Sequence, residues 1–136
     1  MRAVIIGLLT WCSLYATDLS DFAVKMKYET SYEKAIQKAK LEKKKVMLLL
    51  VTHYCPWCTK FEKRTLSVAS IDTAIHNKYV PLILNRQKGK FPKKFDSKRV
   101  PTVYFIDPNN ESLVYKSVGY RNKKDFTQEL KKAENK

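Results

Sequence analysis

The six residues Val46-Met47-Leu48-Leu49-Leu50-Val51 form an apolar run with no polar residue on either face. A segment this short and this apolar is expected to be a central strand, buried on both sides by helices. Its surroundings can supply them. Ser31 can cap a helix whose apolar positions Tyr32, Ala35, Ile36 and Ala39 fall at i, i+3, i+4 and i+7, ending near Lys43. Lys43-Lys44-Lys45 suits the negative end of that helix dipole. After the run, Cys58, Phe61, Thr65 and Val68 recur at steps of three and four and predict a second helix starting at Pro56. Ser70 is expected to cap a short helix through His76. Tyr79 to Asn85 reads as a second strand, where Pro81 requires an open side or a bulge. Val100 to Ile106 is a third strand, turned by Asp107-Pro108-Asn109-Asn110 into a fourth, Ser112 to Val118, as an antiparallel hairpin that Gly119 ends. Phe126, Leu130 and Ala133 mark a last helix. Weak alternation of Phe22, Val24, Met26 and Tyr28 suggests an extended arm or short edge strand over residues 18–29. The class is α/β: one mixed sheet flanked by helices on both faces, in a chain of 136 residues that allows a single domain.

A different apolar run, Ala3 to Ala16, follows Arg2 and is short for a span of roughly 20 residues. With its charged start and small Ala16 before Thr17-Asp18 it reads as a secretory signal peptide over residues 1–16, leaving a domain over 17–136. A retained anchor, or lipidation of Cys12, are the other readings. Periplasmic or secreted localisation is expected. Cleavage would remove Cys12 and leave Cys55 and Cys58, a close pair in an oxidising setting. The loop between them is too short to staple a fold effectively, so the pair reads as redox-active or metal-binding.

A cysteine at a helix N-terminus meets unpaired N–H groups and a partial positive charge, which favour its thiolate. A thiol of ordinary pKa, about 8.5, is roughly 3% ionised at pH 7; two units lower, it is roughly three quarters ionised. Cys55 can then attack a disulfide, and Cys58, one turn on, can resolve the mixed disulfide. Pro56 has no N–H to leave unpaired in the first turn.

The sequence resembles the thioredoxin-like superfamily over roughly residues 32–132. The resemblance rests on Tyr54-Cys55-Pro56-Trp57-Cys58 after a buried strand, Val100-Pro101-Thr102 opening the third strand, Asp107 with its turn, and Val118-Gly119-Tyr120 before the last helix. It is most similar to small exported members with a Cys-Pro-(Tyr/Trp)-Cys helix start followed by an acidic residue, here Glu62. The resemblance implies a thioredoxin fold, Cys55 as nucleophile, Cys58 as resolving thiol, and Pro101 as a cis residue beside Cys55 whose backbone pairs with substrate. Trp57, Val100 and Thr102 would then meet the substrate. Thioredoxins carry a buried carboxylate six residues before the first cysteine, and here that position is Leu49. Glu62 could take over the proton transfer, or lie on a solvated helix face; His53 could steady the thiolate when protonated, or be a polar strand end. If Pro101 abuts the site, the connection bearing Arg86, Lys88, Lys90, Lys93, Lys94, Lys98 and Arg99 borders it and could steer acidic partners. Lysines also occur along the whole chain.

The expected function is therefore an exported thiol–disulfide oxidoreductase acting on cysteine-containing proteins. About 40 residues separate Cys58 from Pro101, too few for the helical insertion of DsbA-type oxidants, and no dimerisation module precedes the fold. This favours a monomeric reductase supplied by a membrane or periplasmic electron-exchange partner. Neither a cofactor nor a metal is called for. The alternatives are a disulfide-forming oxidase of the same fold, or a zinc or copper protein using Cys55, Cys58, His53 and His76. A net charge of +14 alone would suit a nucleic-acid binder, but aromatic and basic residues are not interleaved, so no nucleic-acid partner is expected.

Overall fold

The computed structural model describes residues 21–136. The expected signal peptide, residues 1–16, lies outside them. Five helices and four strands follow in the order α1 (Asp21–Met26), α2 (Tyr32–Glu42), β1 (Lys45–Val51), α3 (Pro56–Phe61), α4 (Ala69–Lys78), β2 (Tyr79–Asn85), β3 (Thr102–Ile106), β4 (Leu113–Val118) and α5 (Lys123–Glu134). The sheet has the order β2-β1-β3-β4. β2 runs parallel to β1, while β3 and β4 are antiparallel to their neighbours.

β1 is interior and buried on both faces, as its composition requires. Met47 and Leu49 pack with Phe61, Ile75, Phe105 and Phe126 under α1, α3, α4 and α5. Val46, Leu48 and Leu50 pack with Ala35, Ile36, Leu84 and Tyr104 under α2. Leu49, in the place of the thioredoxin carboxylate, is fully buried. β2 is the outer strand, and Pro81 falls where its missing N–H is harmless. On the side away from β1 its carbonyl accepts from Glu29 N–H at 2.8 Å, and Glu29 carbonyl accepts from Ile83 N–H at 2.9 Å.

Three local expectations are corrected. The segment from Asp21 to Met26 is a helix, not an extended arm: Phe22 and Met26 are also i, i+4, and the structure buries Ala23 while leaving Val24 66% exposed. Lys27, at φ 57°, ends it, and only Glu29 pairs as an extended residue. α4 starts at Ala69 after an extended Val68 that makes no side-chain cap, so Ser70 lies inside the first turn. α3 continues as a π-helical turn, Glu62–Leu66, in which Ser67 N–H reaches back to Glu62 carbonyl at 3.0 Å. The additional residue lets Thr65 and Leu66 both turn inward, a change of phase that regular three-and-four spacing does not anticipate.

Leu49→Ala should lower the stability of the oxidised protein by about 2–5 kcal/mol in denaturant titration, the cost of a cavity in a close-packed interior. A negligible loss would contradict the packing beneath α3.

Candidate active site

Sheet order assembles the site. Val51, the last residue of β1, lies opposite Asn85 at the end of β2, and Leu50 lies opposite Thr102 at the start of β3. The chain leaving β1 therefore emerges between the two neighbouring strand ends. Tyr54 turns it, with φ 55°, a backbone region uncommon for a bulky side chain, and its ring is 93% exposed. Cys55 follows as the extended N-cap of α3, with Pro56 in the first turn.

Cys55 and Cys58 are joined by a disulfide, with their Cα atoms 5.2 Å apart. Cys58 N–H donates to Cys55 Sγ at 3.1 Å, and Thr59 N–H donates to Cys55 carbonyl at 3.1 Å. The Cys55 sulfur thus occupies the positive end of the helix. Exposure distinguishes the two: Cys58 is buried, and Cys55 is half-buried.

On the β2 side the disulfide borders a cleft of about 600 Å³ whose walls include Thr52, His53, Glu62, Asn85 and Lys88. Glu62 lies one turn beyond Cys58 and is half-buried. Desolvation raises its carboxyl above the ordinary carboxylate range, and the Lys63 ammonium only partly offsets this. His53 is exposed, with its ring edge-on to Tyr54 at 4.3 Å.

On the β3 side the Val100-Pro101 peptide is cis, and Gly119 N–H donates to Pro101 carbonyl at 2.8 Å. Thr102 is fully buried and gives its hydroxyl to Arg99 carbonyl at 2.6 Å, so it shapes the loop and offers no exposed side chain to a substrate. Val100 is half-buried. Trp57, 55% exposed, packs against Tyr120 with centroids 5.5 Å apart.

The basic connection meets the site only in part. Lys88 lines the cleft with the cysteines and Lys90 an adjoining one, while Arg86 is bound to Asp96 at 2.7 Å and Lys94 donates to Glu111 carbonyl at 2.6 Å. His76 stands apart, with Nε2 2.9 Å from Met26 carbonyl. Among the described residues, no group of three or more His, Cys, Asp or Glu could hold a metal ion.

Sequence reasoning used Thr65 only to trace a helix and Tyr54 and Tyr120 only as marks of resemblance, and gave none of them, nor Lys60, a role in the site. Lys60 stands three residues after Trp57, a spacing that puts two helical side chains together and could have flagged it. Thr65 is fully buried and donates to Arg121 carbonyl at 2.7 Å, tying the π turn to the loop that carries Tyr120. That long-range bond has no sequence signature.

A thioredoxin-like domain model matches residues 32–134. The chain belongs to the thioredoxin-like family. Solved structures agree on the fold. A thioredoxin from Thermus thermophilus is 20% identical, with a TM-score of 0.66 over 76% of this chain and 84% of that one. The DsbH oxidoreductase is 18% identical, TM-score 0.64, covering 77% and 82%. The oxidised C-terminal domain of Neisseria meningitidis DsbD is 16% identical, TM-score 0.58, covering 74% and 94%. No curated protein matches the chain. With its paired Cys55 and Cys58, this thioredoxin-like domain is a thiol–disulfide oxidoreductase.

Because the Glu62 carboxyl is raised by folding, the native state binds a proton more readily than the unfolded chain, and stability falls as pH rises through the window above about 4.5. Glu62→Gln removes this dependence. The oxidised variant should be more stable than wild type at pH 7, and the difference should vanish on acidification below pH ~4. A variant less stable at pH 7 would contradict the desolvated carboxylate.

Proposed function

We propose that the chain works as an exported reductase, passing two electrons from the Cys55-Cys58 dithiol to disulfides in selected proteins. The observation that carries this reading is the asymmetric pair: Cys55 at the helix terminus with access to solvent, Cys58 buried behind it beside Glu62. The Cys55 thiolate attacks one substrate sulfur, forming a mixed disulfide and releasing the other substrate sulfur as a thiolate, which takes up a proton. Glu62 accepts the Cys58 proton through the cleft. The Cys58 thiolate then attacks Cys55 Sγ, closes the protein's own disulfide and releases the second substrate thiol.

Reduction is favoured over oxidation by the compact route from Cys58 to Pro101. It contains the rest of α3, the π turn, α4, β2 and a 3₁₀ turn, with no inserted helical domain to make a broad docking surface. Export is supported by the apolar run at residues 3–16 and by a cysteine pair suited to an oxidising compartment. An electron-exchange partner in the membrane or periplasm would then restore the dithiol.

Equilibration with glutathione should give the pair a reduction potential nearer the roughly −270 mV of thioredoxin than the roughly −120 mV of DsbA. A value near the latter would reverse the direction. Cys58→Ser should accumulate mixed disulfides through Cys55, and Cys55→Ser should accumulate none, as read by non-reducing electrophoresis and mass spectrometry.

A further inference from the structure

The face of the disulfide opposite the cleft carries a feature that thiol exchange alone does not require. Lys60 is half-buried, and its Nζ stands 4.7 Å from the Trp57 ring centroid and 5.0 Å from that of Tyr120. Among the described residues its ammonium meets these two rings and no carboxylate. Tyr120 is fixed from beneath. Phe61 meets it edge-on at 6.1 Å, and the Thr65 bond to Arg121 carbonyl anchors its loop. Gly119 N–H, on Pro101 carbonyl, joins the same loop to the cis-proline segment. Trp57, Lys60 and Tyr120 therefore form one surface, which begins at Trp57, the residue directly before Cys58, and is tied through the Tyr120 loop to the buried Pro101.

We propose that Lys60, held across Trp57 and Tyr120, makes this face select protein substrates carrying an acidic residue beside the reacting cysteine. The inference rests on the thiol-exchange reading above and names the substrate class for it. A lysine already confined between two rings loses less side-chain freedom on pairing than a solvated one. Its ammonium has three N–H donors, and the ring faces engage it as a charge without using up those donors, so a carboxylate can still accept from it. The rings themselves give the substrate backbone an apolar contact, with Trp57 55% exposed. Charge on neighbouring segments has the same sign: Lys63 and Arg64 on the π turn are exposed, Arg121 is half-buried, and Lys123 and Lys124 open α5. The one acid in that first turn, Asp125, makes no ion pair with Lys60. The net charge of +14 adds long-range attraction, while Lys60 supplies the local discrimination.

The test uses the reduced full chain and two disulfide peptides identical except for one residue beside the attacked cysteine, Glu in one and Lys in the other. A neutral small disulfide, hydroxyethyl disulfide, serves as the third substrate. The second-order rate constant should favour the Glu peptide by roughly fivefold or more at low ionic strength, and the ratio should shrink toward one in 0.5 M salt. Lys60→Gln should cut the ratio by roughly twofold or more, the remainder coming from the neighbouring basic residues, Lys60→Glu should lower it further, and Lys60→Arg should retain it. The ratio within each variant cancels any change in intrinsic thiol reactivity. Equal rates for the two peptides with wild type, or a preference left undiminished by Lys60→Gln, would overturn the inference while leaving thiol exchange intact. Failure of wild type to reduce even hydroxyethyl disulfide would instead overturn the exchange reading, and this inference with it.

Discussion

The hydrogen bond from Cys58 N–H to Cys55 Sγ is the contact on which the rest of the site depends, because it fixes one sulfur on the positive end of α3. That bond exists because Cys55 caps a helix that begins within a few residues of a strand end. β1 provides the end, and its burial on both faces leaves the strand no freedom to slide, since a one-residue slip would exchange the residues facing the two clusters. Tyr54, in a left-handed conformation, converts the strand direction into that of the helix. Apolar burial in β1 thus becomes the orientation of a sulfur atom.

From this fixed point the two neighbours of β1 give the disulfide two different sides. The end of β2 contributes to a polar cleft with Glu62, His53 and Lys88 beside the buried Cys58. The start of β3 contributes the cis Pro101 loop, and the exit of β4 brings Tyr120 against Trp57. The division suits two tasks that interfere if mixed: moving a proton from a buried thiol needs a confined polar space, and gripping an extended chain needs an open apolar surface. Leu49 belongs to the same division. With an apolar residue fully buried beneath α3, the carboxylate near Cys58 comes from the helix instead of the strand.

Much of this was legible in the sequence because it is set by local chemistry. The double-faced run of β1, the stripe of α2, Pro81 on an outer strand and Gly119, at φ 86°, after β4 each follow from one residue's geometry or one periodicity. The cysteines at the head of α3 and the loop at Pro101 came from motif and resemblance together. What was not legible depends on partners distant in sequence or on short segments. Six residues of α1 satisfy a period of two and a period of 3.6 equally well. The π turn inserts a phase change that is repaid in burial of Leu66 and in the Thr65 bond to Arg121, 56 positions away. The basic connection reads as a single patch in sequence, whereas folding divides it between a cleft wall, the Arg86-Asp96 pair and the Lys94 bond to Glu111 carbonyl. Lys60 needed Tyr120, from the far end of the chain, to become more than another lysine.

The most direct measurement of the central claim is the pH dependence of Cys55 alkylation in the reduced protein. Modified peptides should be resolved by mass spectrometry so that Cys12 and Cys58 are read separately. A helix terminus that stabilises the sulfur as an anion predicts an ionisation midpoint for Cys55 well below the ordinary thiol value of about 8.5, with Cys58 reacting more slowly throughout. A Cys55 midpoint at or above that value, or faster alkylation of Cys58, would contradict it.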